Sequence, residues 1–284
     1  MIEPWLIAAT PEHHAHLYHY TDAEKAINIV ETSTFRFGSL AALNDPRESH
    51  EGLVDVITSA TDASFKGSDP DNIALLRDQL DEFFRRCARI ACFTVDRAPA
   101  REASDNTGHY HLGWARARMW DQYARNHTGL CLIFNRERFV VELEAKYPRG
   151  QWDSVAREVT YLDMPLGTLF DAKMINPSGF SGMMRTMRTM GQTSQILYFV
   201  KNRDWESENE YRFLVFPGGS LSPGTGARVA IATESTLEAA ILGEGFPATE
   251  IPNIREALAR HNASLLQCSW IRGAPRLMEV QGTR

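Results

Sequence analysis

Short runs of alternating or continuous apolar residues, separated by polar turns, make up most of the chain. Leu17-Tyr-His-Tyr-Thr21 reads as a short strand ending at a polar turn. Asp22 is a good N-cap for a helix over Ala23–Glu31, with Ala26, Ile27 and Val30 on its inner face. Alternation over Thr34–Gly38 predicts a second strand. Asn44-Asp45-Pro46 is a turn signal, and Pro46 suits the first turn of a helix from about Arg47 to Ala60. A long amphipathic helix is expected over Asn72–Cys87, then a buried strand over Arg89–Val95.

Residues 96–113 carry Pro, Gly, Asn, Ser and charges without apolar period, which predicts a long loop holding His109 and His111. Beyond it the pattern predicts a helix from Trp114 to Asn126 stopped by Gly129, a strand over Leu130–Phe134 and a helix over Arg138–Lys146. A strand over Glu158–Leu162, a helix from Phe180 to Val200 and strands over Arg228–Thr233 and Leu237–Leu242 follow. A helix from Thr249 to Arg260, capped by Thr249, precedes closing strands at Ser264–Trp270 and Arg276–Val280. No internal repeat or linker demands a boundary. The expectation is one α+β domain over residues 1–284, with a mixed or antiparallel central sheet, flanking helices and a helical layer near residues 47–88.

One stretch stands apart. If Glu206–Phe216 is a strand, its period of two puts Glu206, Glu208, Glu210 and Arg212 on one face, with Tyr211, Phe213 and Val215 on the other. Neighbouring carboxylates repel one another. They fit a solvated face, or a cleft where a carboxylate orients a substrate hydroxyl or steadies a positive charge.

Hydrophobic content of 43% and charged content of 23% describe an ordinary globular chain. No apolar run reaches the roughly 18 residues needed to span a bilayer. The first twenty residues lack a basic region followed by a long apolar one, so the expected location is cytoplasmic with no membrane partner. The formal net charge of −6 argues against a general nucleic-acid binder. Cys87, Cys92, Cys131 and Cys268 have no regular spacing and read as reduced thiols. Nine histidines invite a metal, but no ligand spacing accompanies them, so no metal site is assigned. Phosphate-binding glycine loops and the G-x-S-x-G elbow are missing as well.

Several residues are polar for their surroundings: His19 between Tyr18 and Tyr20, the Asn44-Asp45-Pro46 turn with Glu48, and the Met119-Trp120-Asp-Gln-Tyr123 face. A core histidine explains the first as well as a ligand contact does, and a helix cap and core packing are the simpler readings of the other two. In order along the chain stand Leu17-Tyr18 and Tyr20, Leu43-Asn44-Asp45-Pro46 with Glu48, and Cys92-Phe93-Thr94. Met119-Trp120, Tyr123-Ala124, His127 and Gly129 come next, followed by Val159 and Tyr161. Lys201, Trp205, Glu208, Glu210 and Arg212 end the series. Over about residues 17–243 this series resembles a bacterial family known only as domain of unknown function 2971. Leu43 stands where that family usually has Phe, and the loop before Met119 is longer than in many members.

His19-Tyr20-Thr21, the following helix, the strand to Gly38-Ser39 and the late Glu208-Asn-Glu210 are similar to ADP-ribosyltransferase-type domains. That resemblance implies a split-sheet fold and NAD as substrate. It implies Glu210 as the ribose carboxylate and Glu208 as acceptor-side base. It places His19, Tyr20 and Ser39 on the nicotinamide half, supported by Asn44 and Asp45. Glu48, Trp120, Tyr123, Lys201, Trp205 and Arg212 are further site candidates. The implied partners are a small nucleotide and a macromolecular acceptor, nucleic acid or protein, as for a toxin or anti-phage effector. Two other readings stay open. One is a Mg-dependent nuclease or hydrolase using Asp45, Glu48, Glu208 and Glu210. The other is a non-catalytic sensor or interaction module.

Overall fold

The computed structural model describes residues 15–52, 54–57, 70–86, 88–97, 109–148, 152–163, 168–171, 197–217 and 229–280. β1 (His16–Thr21) leads into helix α1 (Ala23–Glu31), whose cap residue Asp22 accepts a 2.8 Å bond from the Lys25 amide. β2 (Thr34–Arg36) and a short 3₁₀ turn (Leu40–Ala42) precede α2 (Pro46–Ser49). β3 (Val54–Ile57), α3 (Pro70–Arg86) and β4 (Arg89–Thr94) follow, then a 3₁₀ turn at Gly113–Ala115 and α4 (Ala117–Gln122). β5 (Leu130–Asn135), α5 (Arg136–Lys146), β6 (Trp152–Glu158), β7 (Thr160–Tyr161) and β8 (Thr168–Asp171) form the middle of the chain. β9 (Val200–Lys201), a 3₁₀ helix at Arg203–Glu208 and β10 (Glu210–Pro217) come next. β11 (Ala230–Ala232), β12 (Leu237–Leu242), α6 (Ile251–Ala259), β13 (Ser264–Ile271) and β14 (Ala274–Glu279) complete it.

Eight strands form one mixed sheet in the order β14-β13-β12-β5-β1-β4-β10-β6. Its neighbours pair antiparallel except β12 and β13, which run parallel and are joined through α6, because parallel neighbours need a crossover. Helices α1, α5 and α6 pack on one face through Ala26, Val30, Phe139, Leu143, Ile254 and Leu258, against Phe93, Phe134 and Phe213. The opposite face is covered by Trp114, Met119 and Trp120, which meet Tyr18, Tyr20, Cys131 and Ile133. The fold is α+β, as the alternation of patterns predicts.

Five elements differ from the pattern. The strand expected over Glu158–Leu162 is only Thr160–Tyr161, while Trp152–Glu158 pairs with β10 as β6. The helix expected over 47–60 stops at Ser49, and Val54–Ile57 is a strand. Gly52 sits at φ 99°, where a side-chain-bearing residue is strained, and the β-branched run after it favours a strand. The helix expected over Trp114–Asn126 is only α4, because Arg125, Asn126 and His127 turn left-handed. The strand expected from Glu206 begins at Glu210, since Arg203–Glu208 winds as a 3₁₀ helix and Asn209 takes φ 46°. In the last helix the cap position falls at Glu250 rather than Thr249. The helix expected over 180–200 lies mostly outside the described residues, as does most of the loop over 96–113.

Candidate functional site

The central sheet splits between β1 and β4. β1 pairs with β5 along its whole length, from His16 opposite Asn135 to Thr21 opposite Leu130. Against β4 it pairs only at Tyr18 opposite Thr94. Beyond that pair the strands part, and the carbonyl of Cys92 loses a ladder partner. The His19 imidazole replaces it, with Nδ1 3.3 Å from the Cys92 oxygen. A carbonyl can only accept, so Nδ1 carries the proton and Nε2 is left as an acceptor. Burial lowers the His19 pKa to about 4, so the ring is neutral near pH 7.

A cavity of about 450 Å³ opens at the split. Tyr18–Asp22 form one side, Cys92–Thr94 another, and Tyr123, Lys201, Glu208, Glu210 and Arg212 the inner wall. Asn44, exposed, lies at its margin.

The inner wall is a buried charge cluster. Arg212, with no exposed surface, donates from Nε to Glu210 Oε1 at 2.7 Å and from Nη2 to Glu210 Oε2 at 2.9 Å. The same guanidinium reaches Glu48, with Nη2 3.1 Å from Oε2, and Nη1 donates to the Tyr198 carbonyl at 2.8 Å. Lys201 Nζ lies 2.6 Å from Glu208 Oε2, 3.3 Å from Glu210 Oε2 and 4.0 Å from Glu48 Oε2. The Tyr123 hydroxyl donates to Glu208 Oε1 at 2.6 Å, and the Tyr161 hydroxyl accepts from the Glu210 amide at 2.8 Å. Three carboxylates thus face two fixed cations.

That imbalance separates the carboxylates. Burial raises Glu208, and Lys201 offsets it only in part; burial likewise raises Glu48 against the pull of Arg212. Burial pushes Glu210 up too, but Arg212 and then Lys201 outweigh it and hold its pKa at about 2. Buried ion clusters are poor stabilisers, because desolvation consumes most of the Coulombic gain. Their place in a cavity wall fits a site that acts on a ligand.

Local geometry explains the convergence. Glu208 ends the 3₁₀ helix, Asn209 turns left-handed, and Glu210 opens β10. Asn tolerates this region, and its Nδ2 donates to the Val95 carbonyl at 2.8 Å, which fixes the turn to the end of β4. The two carboxylates therefore meet through a left-handed hinge, not through strand periodicity. Glu206 is exposed. Trp205 is flanked by two cations, Lys201 Nζ 4.6 Å and the Arg118 guanidinium 5.6 Å from its ring centre.

Other predicted residues take structural posts. Tyr20 borders the cavity, but its hydroxyl donates to the Gly113 carbonyl at 2.7 Å and its ring meets Trp120 edge-on at 5.1 Å. Trp120 is buried and donates to the Trp114 carbonyl. Ser39 begins the 3₁₀ turn at Leu40 and is absent from the cavity lining. Asp45 caps α2, accepting from the Arg47 amide at 2.9 Å, and is absent from the cavity lining. Among the described residues no group of three His, Cys, Asp or Glu side chains is disposed to hold a metal ion. Glu48 and Glu210 are instead occupied by Arg212.

The cavity lining also holds residues outside the candidate set, among them Cys92 and Thr94 beside Glu210. Cys92 is half-buried, and burial raises its thiol pKa, as does the Glu210 carboxylate to which it is hydrogen-bonded. Thr94, opposite Glu210 across the β4–β10 ladder, is buried with a hydroxyl that has no partner among the described residues. Their signal was the Cys92-Phe93-Thr94 run, where period two puts Cys92 and Thr94 on one face.

Residues 119–213 match the family model described as protein of unknown function (DUF2971). No curated protein and no solved structure matches the chain. The matched segment holds Tyr123, Tyr161, Lys201, Glu208, Glu210 and Arg212. His19, Glu48, Cys92 and Thr94 come from outside it and fold against it. No described helix is long and apolar enough to cross a membrane.

Proposed function

We propose that the cavity binds NAD and that the protein is an ADP-ribosyltransferase-like enzyme. One observation carries the reading: two carboxylates two residues apart share the wall of one cavity, with Glu210 held ionised and Glu208 raised. Environments that drive neighbouring carboxyls apart are what divided acid–base roles require.

In this reaction the bond from the ribose anomeric carbon to the nicotinamide nitrogen breaks, and its electron pair leaves with nicotinamide. The ribose ring gains oxocarbenium character. Ionised Glu210 offsets that charge more in the transition state than in the ground state. An acceptor hydroxyl or amine then bonds to the anomeric carbon, and its proton passes to Glu208. Tyr123 and Lys201 hold the two Glu208 oxygens in place. Neutral His19 presents an acceptor nitrogen without adding a competing positive charge, which suits a cationic nicotinamide. The acceptor would be a macromolecule, protein or nucleic acid.

The test is nicotinamide release from NAD by the full chain. Release is expected, with near-complete loss in Glu210→Gln and a drop of about 10²–10⁴-fold in Glu208→Gln. Circular dichroism would verify that both variants fold. Absence of release with protein and nucleic-acid acceptors present would overturn the reading.

A further inference from the structure

We infer that Arg125 anchors a phosphate subsite where the inner cavity meets a second, outer one. The outer cavity, about 860 Å³, lies between α1, β2 and the Pro247–Glu250 segment. The two cavities share His19, Thr21, Lys25 and Arg125. Any ligand that fills both must pass these residues.

Arg125 is held there by an unusual turn. Arg125, Asn126 and His127 have φ of 48°, 55° and 65°, three consecutive left-handed residues without a glycine. Each such residue costs about 1–3 kcal/mol and persists only where its surroundings enforce it. Here they do. The amides of Asn126 and His127 donate to the carbonyls of Asp121 and Trp120 at 2.9 and 3.1 Å. The His127 ring stacks on Trp120, its carbonyl accepts from the Gly245 amide at 3.0 Å, and Gly243 leaves no Cβ in its way.

The restraint ends at the Arg125 backbone. Among the described residues, the Arg125 guanidinium forms no hydrogen bond or ion pair, whereas Lys25 beside it is engaged by Asp22 at 2.9 Å. Asp22 lies within electrostatic reach of both cations but pairs with Lys25, so Arg125 is the cation at the junction whose donors are left open. Its planar fork suits a phosphate better than a lysine would. Glu24, Glu31 and Glu250 line the outer cavity with Arg36, which favours an anion at the shared wall rather than farther out.

The ligand class is a nucleoside diphosphate moiety. On the NAD reading, the nicotinamide end lies toward Glu210, the diphosphate at Arg125, and the adenosine in the outer cavity. The anion site itself does not depend on that reading.

The experiment measures binding of ADP, inorganic pyrophosphate and adenosine to the full chain by calorimetry. Wild type is expected to bind ADP, and Arg125→Ala to bind it about ten- to a hundredfold more weakly, the usual worth of a charged hydrogen bond. Adenosine binding should not change, and Arg125→Lys should recover part of the loss. Arg260→Ala, an exposed charge outside both cavities, controls for net charge. Failure of wild type to bind ADP, or equal binding by Arg125→Ala, overturns the subsite. Nicotinamide release with an unchanged KM in Arg125→Ala would remove the subsite and leave the proposed activity standing. ADP binding lost in Arg125→Ala, without any NAD cleavage, would do the reverse.

Discussion

His19 Nδ1 lies 3.3 Å from the carbonyl oxygen of Cys92, at the point where β1 leaves β4. A side chain thus closes the backbone hydrogen bond that the split opens, since a buried carbonyl without a donor is destabilising. The same imidazole borders both cavities. His19 is accordingly a structural pin and a cavity wall at once.

This pin makes stability sensitive to acid. The folded-state pKa of His19, about 4, lies below its ordinary 6.5. Below pH 6.5 the unfolded chain takes up a proton that the folded chain refuses, so His19-linked stability is full above 6.5 and is lost as pH falls toward 4. The slope approaches one proton, about 1.4 kcal/mol per pH unit. His19→Gln, which can still donate to Cys92, should flatten melting temperature against pH between 6.5 and 4. An unchanged slope would remove His19 as its source.

Glu210 acts in a lower window. Its pKa of about 2 lies beneath the ordinary 4.5, so its contribution is present above 4.5 and disappears as pH falls to 2. Glu48 and Glu208 are raised and have the opposite sign, losing stability as pH climbs through 4.5 toward their folded values. Glu208→Gln should therefore stabilise the protein near pH 7 relative to its effect near pH 4. Urea titrations at the two pH values would measure the difference.

Arg212 neutralises two buried carboxylates at once. Arg212→Met should destabilise by about 3–5 kcal/mol, the range for stripping one partner from a buried ion pair. Pairing it with Glu48→Gln should recover part of that loss, because one stranded charge is gone. Additive losses in the double variant would show that the two residues do not interact.

The Asn209 hinge can be tested by geometry alone. Asn209→Gly keeps the left-handed turn and loses only the Nδ2 bonds to the Val95 and Asp96 carbonyls. Asn209→Val puts a β-branched side chain at φ 46° and should be worse by at least about 1–2 kcal/mol. Equal melting temperatures would mean that the hinge does not hold Glu208 and Glu210 together.

Gly243 guards the other left-handed turn. A Cβ there would lie 2.1 Å from the His127 carbonyl oxygen and 2.7 Å from its carbonyl carbon, backbone atoms with little room to yield. Gly243→Ala should destabilise by about 1–3 kcal/mol, the range for overpacking. On the Arg125 inference it should also weaken ADP binding. Retained stability would show that the turn can shift.

Local chemistry determined much of this protein. Asp22 as a cap and Ala26 and Val30 as a buried stripe are short-range signals, and α1 appears where they place it. Buried strands such as Leu130–Asn135 announce themselves as apolar runs. Period two groups Glu206, Glu208, Glu210 and Arg212 on one strand face, and the family resemblance adds Lys201. Tertiary structure decided what that grouping means. Period two put Glu206 beside Glu208 and Glu210, but a left-handed Asn209, held by the end of β4, sends Glu206 to solvent and turns the other two inward. Glu48 joins them from 164 positions before Arg212, a contact that no local pattern encodes. The split between β1 and β4, and with it the cavity, depends on how far two distant strands stay in register. Local propensity selects the elements, and only the packed sheet fixes their register and the side chains that meet at the split.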